Sequence, residues 1–143
     1  VWVKMGKPAE AASRWKSLRA DPFLLELRQD SGIRFAFELA GNKAELLGQA
    51  PLHEGWNQFV FVYDLAAISL WHDGKLICTR DDVPPAYQRT HVANDIAFRQ
   101  PDAQGLRFTG EIDEVEVIGA ALGEADINKL FEGIPWIEKT ALP

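Results

Sequence analysis

One cysteine, Cys78, and one methionine, Met5, stand in 143 residues. A lone thiol can neither close an internal disulfide nor supply a cysteine-based zinc site, so the fold forms without covalent staples. No run of about 18 uncharged apolar residues occurs, which excludes a membrane-spanning helix. No Lys/Arg cluster interleaved with aromatics appears, and nucleic acid is excluded as a partner on that ground. The three histidines, His53, His72 and His91, are scattered, without His-x-His spacing and without a Ser, Cys or Asp arrangement of nucleophilic type. They read as ordinary structural residues, and Cys78 reads as a small buried hydrophobe. No internal repeat is visible.

What is present is average for one globular domain: 47% hydrophobic, 25% charged and 10% aromatic residues. A chain of this size buries roughly 68–70% of its unfolded surface, enough for a core. The net charge of −6 is uneven, since residues 1–43 carry a net +3 and residues 44–143 a net −9. An acidic surface of this kind serves solubility. Residue 1 already lies in a strand-like run, Val1-Trp2-Val3-Lys4-Met5, which is expected of a processed chain or an excised piece of a longer one.

The dominant period is two. Phe23, Leu25 and Leu27 alternate with Leu24, Glu26 and Arg28; after the turn Asp30-Ser31-Gly32, Ile33, Phe35, Phe37 and Leu39 alternate with Arg34, Ala36 and Glu38. That is a half-buried hairpin. A short strand follows near 44–47. The run 56–64 (WNQFVFVYD) is apolar on both parities, which places it centrally and covered on both faces. Residues 68–71 and 75–79 flank His72-Asp73-Gly74, and an Asp-Gly pair between apolar runs is a strong hairpin signal. The stretch 81–94, with Pro84-Pro85, reads as a loop, and 96–99 as a brief strand.

In 106–118 the alternation slips. Phe108, Gly110 and Ile112 share one parity, Val115 and Val117 the other, so both sets face the core only across a β-bulge near Asp113-Glu114. Residues 124–131 form a helix, with Glu124 and Asp126 in the first turn, Lys129 near the end, and Gly133 and Pro135 as stops. By composition, residues 8–20 suit a short helix or a loop equally. The fold class is therefore all-β: an antiparallel two-sheet jelly-roll sandwich with one short C-terminal helix, over residues 1–133, followed by a tail at 134–143.

Three stretches carry a resemblance to the laminin G-like module of the concanavalin A-like lectin/glucanase superfamily. They are Trp56 opening its strand, the hairpin Leu70-Trp71-His72-Asp73-Gly74-Lys75-Leu76, and Phe108-Thr109-Gly110-Glu111-Ile112-Asp113-Glu114-Val115 followed by Ala121-Leu122, Asp126-Ile127 and Leu130. The third resembles the family's closing signature. The likeness spans about residues 56–133, and residues 1–55 share only its strand rhythm. Members of the family have one or two strands before the segment that 1–5 resembles. A sheet edge is therefore expected to be completed by an upstream segment or another chain.

The candidate chemistry follows. Flat aromatics bind sugar rings, and the carbohydrate-contacting candidates are Trp71 beside its turn and Tyr87 in the Pro-rich loop, with Arg89 and His91 as hydrogen-bonding neighbours. The resemblance implies a structural Ca²⁺ at the sandwich rim. Among the loop oxygens at Asp64, Asp81, Asp82, Asn94, Asp95 and Asp102, its ligands are taken as Asp64, Asp81 and Asp95. Glu111-x-Asp113-x-x-Glu116 resembles the catalytic strand of retaining endoglucanases on the same scaffold, whose two carboxylates stand about 5–5.5 Å apart. Against that reading, the motif lies only 27 residues from the end of the sequence, Val115 and Val117 want the core, and the helix that follows is the binding modules' signature. Asp113 is more simply an acceptor that ties a bulge to nearby backbone N–H groups.

The expected function is non-catalytic: carbohydrate recognition, or attachment of a larger secreted or surface protein, in an extracellular, cell-surface or periplasmic setting. The alternative is a structural subunit or protein–protein interaction domain in an assembly. A glycoside hydrolase using Glu111 and Glu116 stands third. The expected partners are a glycan or protein ligand and a chain that completes the sheet edge, with no nucleic acid and no membrane insertion.

Overall fold

The computed structural model describes residues 1–5, 16–20, 23–27, 31–39, 42–64, 66–82, 98–99, 111–116, 118 and 120–135. Its ten strands are β1 (Trp2–Met5), β2 (Lys16–Ala20), β3 (Phe23–Leu27), β4 (Gly32–Leu39), β5 (Asn42–Gln49), β6 (Gly55–Tyr63), β7 (Ile68–His72), β8 (Lys75–Arg80), β9 (Phe98–Arg99) and β10 (Glu111–Asp113), followed by α1 (Glu124–Phe131). They form two five-stranded antiparallel sheets, ordered β10-β1-β6-β7-β8 and β5-β4-β3-β2-β9. This is the expected two-sheet sandwich with one short helix.

The period of two places the core. From the first sheet Val3, Phe59, Ile68 and Leu70 point inward, and from the second Leu25, Leu27, Ile33, Ala44 and Leu46 meet them. Phe35 and Phe61 stack between the layers, with centroids 3.9 Å apart and planes 16° from parallel. Outward on the second sheet, Arg34 answers Glu26 and Glu45 at 3.5 and 3.2 Å. Along one side the layers nearly touch: a Cβ on Gly48 of β5 would lie 2.8 Å from Ile77 Cγ2 of β8, so this seam requires glycine.

The β7–β8 turn follows its sequence signal. Asp73 and Gly74 both have positive φ, +47° and +77°, the pattern of the two-residue turn that matches strand twist. Helix α1 lies against this turn and the outer face of the first sheet. Ile127 is fully buried, Phe131 stacks on Trp2 at 5.8 Å, and a Cβ at Gly74 would come within 2.8 Å of Asn128 Oδ1. Gly133 (φ +83°) ends the helix, its N–H donating to Leu130 O at 3.1 Å while Ile134 N–H reaches Lys129 O at 2.8 Å.

Two expectations are corrected. The end of the 8–20 segment is neither helix nor loop: 16–20 is strand β2, paired along its length with β3. Its helix-favouring composition yields to an open sheet position beside a strong apolar strand. Residues 8–15 lie outside the described residues. The strand expected through 118 ends at Asp113. There Asp113 Oδ1 accepts Glu114 N–H at 2.8 Å, Glu114 takes φ +48°, and Val115 is exposed rather than in the core. The register shift that is present lies between β7 and β8, where Leu70 pairs with Cys78 but Trp71 with Leu76, leaving Ile77 as the extra residue.

Candidate functional site

The site candidates from the sequence fall in separate places. Trp71 is half-buried on the outer face of β7, and its indole N–H donates to Ser69 Oγ at 3.0 Å. Asp64 and Asp81 follow β6 and β8 at one end of the first sheet, because the register aligns Tyr63, Ile68 and Arg80. Asp64 already serves the chain there. Its Oδ1 accepts the N–H groups of Ala66 and Ala67 at 2.9 and 2.7 Å, and these bonds hold its carboxyl below the usual aspartate range. Asp81 is exposed, and the neighbouring Asp82 pairs with Arg80. Tyr87, Arg89, His91 and Asp95 lie outside the described residues.

Glu111 and Glu116 are both exposed. Glu111 is bonded to Lys4 Nζ at 2.7 Å on the outer face, whereas Glu116 acts electrostatically on the Val1 nitrogen.

At the opposite end of the sheet the structure builds a polar centre that the sequence did not announce. Among the described residues, the metal-binding side chains whose ligand atoms converge are His53, His72 and Asp73, all within 4.8 Å of one another. The β6–β7 register brings them together, since Phe59 faces His72 and the turn that follows returns Asp73 to Gln58. Asp73 is clamped twice, its N–H donating to Gln58 O at 3.0 Å and its Oδ1 accepting Gln58 N–H at 2.8 Å. Its Oδ2 is then left 2.6 Å from His53 Nε2 and 3.6 Å from His72 Nε2.

Asn57, fully buried, organises the rest. Its Nδ2 donates to the carbonyls of His53 and Gly55 at 2.8 and 3.1 Å, which fixes the amide. Its Oδ1 therefore accepts His53 N–H at 3.2 Å and the Nε2–H of His72 at 2.8 Å. The two imidazoles differ in charge preference. His53 lies between the Glu54 carbonyl (3.0 Å from Nδ1) and Asp73, two acceptors that raise its pKa. His72 is buried against the Phe59 ring at 5.2 Å; desolvation lowers its pKa, opposed by Asp73 and reinforced by His53.

A second feature is aromatic. Trp56, at the start of β6, is 38% exposed on the outer face, with Lys4 Nζ 5.9 Å from its ring centroid and Glu111 held alongside by the same lysine. Its place in a dense apolar strand had marked it for the core, but its parity is that of Gln58, facing away from Phe59.

Two antiparallel five-stranded sheets with a closing helix define the jelly-roll sandwich class. A laminin G-like family model, described as the concanavalin A-like lectin/glucanases superfamily, matches residues 1–128, and the chain belongs to this superfamily. It is also similar to the crystal structure of residues 221–444 of an S-layer domain-containing protein from Clostridium thermocellum, with 18% identity and a TM-score of 0.47 over 76% of this chain. The chain spans 55% of that structure. No curated protein matches it. Among the described residues no helix is long and apolar enough to cross a membrane.

Proposed function

We propose that this domain is a non-catalytic binding module of a secreted or surface protein, and that its ligand is carbohydrate. The observation that carries the reading is Trp56, 38% exposed on a central strand, with the Lys4 ammonium over one face of its ring and Glu111 paired to that lysine. An aromatic plane beside charged hydrogen-bonding groups suits the apolar face and hydroxyl edge of a pyranose. Trp71, on the same outer face, extends the surface, and Tyr87, Arg89 and His91 join the proposal from the sequence alone. A structural Ca²⁺ held by Asp64, Asp81 and Asp95 belongs to the same proposal. Glu111 is taken up by its ion pair with Lys4, which favours binding over hydrolysis.

A glycan array on the purified chain, in millimolar calcium and again in chelator, tests this. Saturable binding to a defined glycan group, weakened at least ~10-fold by Trp56→Ala, is expected, by analogy with the loss of a central aromatic anchor. A blank array, or binding indifferent to Trp56, overturns it. The assembly reading has its own observation: Leu47 on β5 and Leu76 on β8 are 61% and 50% exposed beside the seam where the two edge strands meet.

A further inference from the structure

We propose that His53, His72 and Asp73 form a binding site for a divalent transition metal of the zinc class, fastening the 50–55 segment to the β7–β8 turn. Two imidazole nitrogens and one carboxylate oxygen converge within 4.8 Å. That donor set selects zinc, cobalt, nickel or copper over calcium, which takes oxygen ligands and leaves imidazole aside.

The surroundings have the form of a metal site's outer shell. His53 gives its Nδ1–H to the Glu54 carbonyl, which turns Nε2 toward the centre. A backbone carbonyl in that role fixes both tautomer and ring plane in metal-bound histidines. Asp73 is held through Oδ1 and its own N–H by Gln58, so Oδ2 points at both imidazoles without a rotamer search. His72 forms the floor at 2% exposure, while the His53 side chain, 47% exposed, gives an entry path. His53 and Asp73 thus each rest on a separate support, as a built site requires.

Without the ion, hydrogens occupy the centre: one lies between His53 and Asp73, another between His72 and Asn57 Oδ1. A tetrahedral ion with bonds near 2.0–2.1 Å sets its ligands roughly 3.3 Å apart. The His72–Asp73 separation of 3.6 Å is already close to that figure, and the 2.6 Å His53–Asp73 contact widens by a small swing of the exposed ring. His53 then loses its Nε2 proton to solvent and keeps Nδ1–H. His72 exchanges its Nε2 proton for one on Nδ1, so the two histidines release one proton in all. Asn57 Oδ1, beside His72 Nε2, stands in line for the fourth position. This site is independent of the carbohydrate surface on the outer face and does not use the Asp64 rim.

The test uses the full chain, stripped with chelator and titrated separately with Zn²⁺, Co²⁺ and Ca²⁺. Zn²⁺ and Co²⁺ are expected to bind at one equivalent, with a tetrahedral Co²⁺ visible spectrum and a concentration-dependent rise in Tm that Ca²⁺ does not reproduce. His53→Gln, at an exposed position, is expected to keep the fold and lower Co²⁺ affinity at least ~10-fold, the loss typical of a disturbed metal shell. His91→Gln and Cys78→Ser are expected to leave it unchanged. Sub-stoichiometric uptake, an octahedral aqua-like Co²⁺ spectrum, or binding indifferent to His53→Gln overturns the proposal.

Discussion

The two ends of the first sheet handle their polar groups differently. At the Asp64 end the carboxylates are satisfied by near neighbours in sequence, Asp64 by Ala66 and Ala67 and Asp82 by Arg80, whose guanidinium also reaches Glu45 O at 3.2 Å. At the His53 end the partners are distant. Asn57 meets His72 across fifteen positions and His53 meets Asp73 across twenty, in a network closed around a fully buried amide. Local satisfaction holds a loop's shape. Distant satisfaction ties separate elements together, and it leaves donor atoms converging on one point.

Breaking the two ends separately is expected to show that difference. The largest effect belongs to Asn57→Ala, which strips four hydrogen bonds from a buried site and leaves His72 Nε2–H without its acceptor. A loss of about 2–3 kcal/mol in denaturant unfolding is expected; a loss within error of wild type would show that the network adds little. Next comes Gly74→Ala at the same end, expected to cost about 1–2 kcal/mol because a side chain at positive φ is strained and its Cβ meets Asn128. Adding Asn128→Ala should recover part of that loss, and no recovery would place the whole cost in the backbone.

Cys78, midway along β8, probes the wall between the ends. Burial raises its thiol pKa. Because the thiolate is the reactive form, alkylation should run slower than on a free cysteine at neutral pH and keep accelerating above the ordinary thiol range. A rate matching free cysteine at neutral pH would contradict this. The smallest effect is expected at the far end: Asp64→Ala removes an exposed local cap and should lower stability less than Asn57→Ala. Equal losses from the two substitutions would erase the distinction between the rims.

The same contrast explains what the sequence could show. The alternation of Ile33 and Phe35 against Arg34 and Ala36, the Asp73-Gly74 turn and the acidic start of α1 are short-range signals, and the structure has a strand, a turn and a helix at those places. The sandwich class was legible from them, and the superfamily from Trp56, the hairpin 70–76 and the run 108–115 with the helix that follows. Strand β2 was hidden because its composition suits a helix and only its pairing with β3 and β9 makes it a strand. The His53–His72–Asp73 centre was hidden because it depends on which residue faces Phe59, a matter of register that no spacing in one strand encodes. Trp56 was misplaced for a related reason: a run apolar on both parities does not say which face stays open to solvent.

The position of β1 carries a consequence for how the molecule assembles. Trp2 pairs on one side with Gln58 and on the other with Asp113, then stacks on Phe131, whereas β2, β3 and β4 pair with their immediate successors. On a ribosome, β1 is therefore made before its partners β6 and β10 and is fully paired and covered only after residues 111–131 have emerged. Its pairing with β10, Trp2 with Asp113, closes the longest loop among the described strand pairs, and long-loop closure is the slow part of folding. Strands β2–β5 can zip locally while β1 waits with Val3 and Trp2 uncovered, so the interval before β10 arrives is when the nascent chain is most open to misassembly.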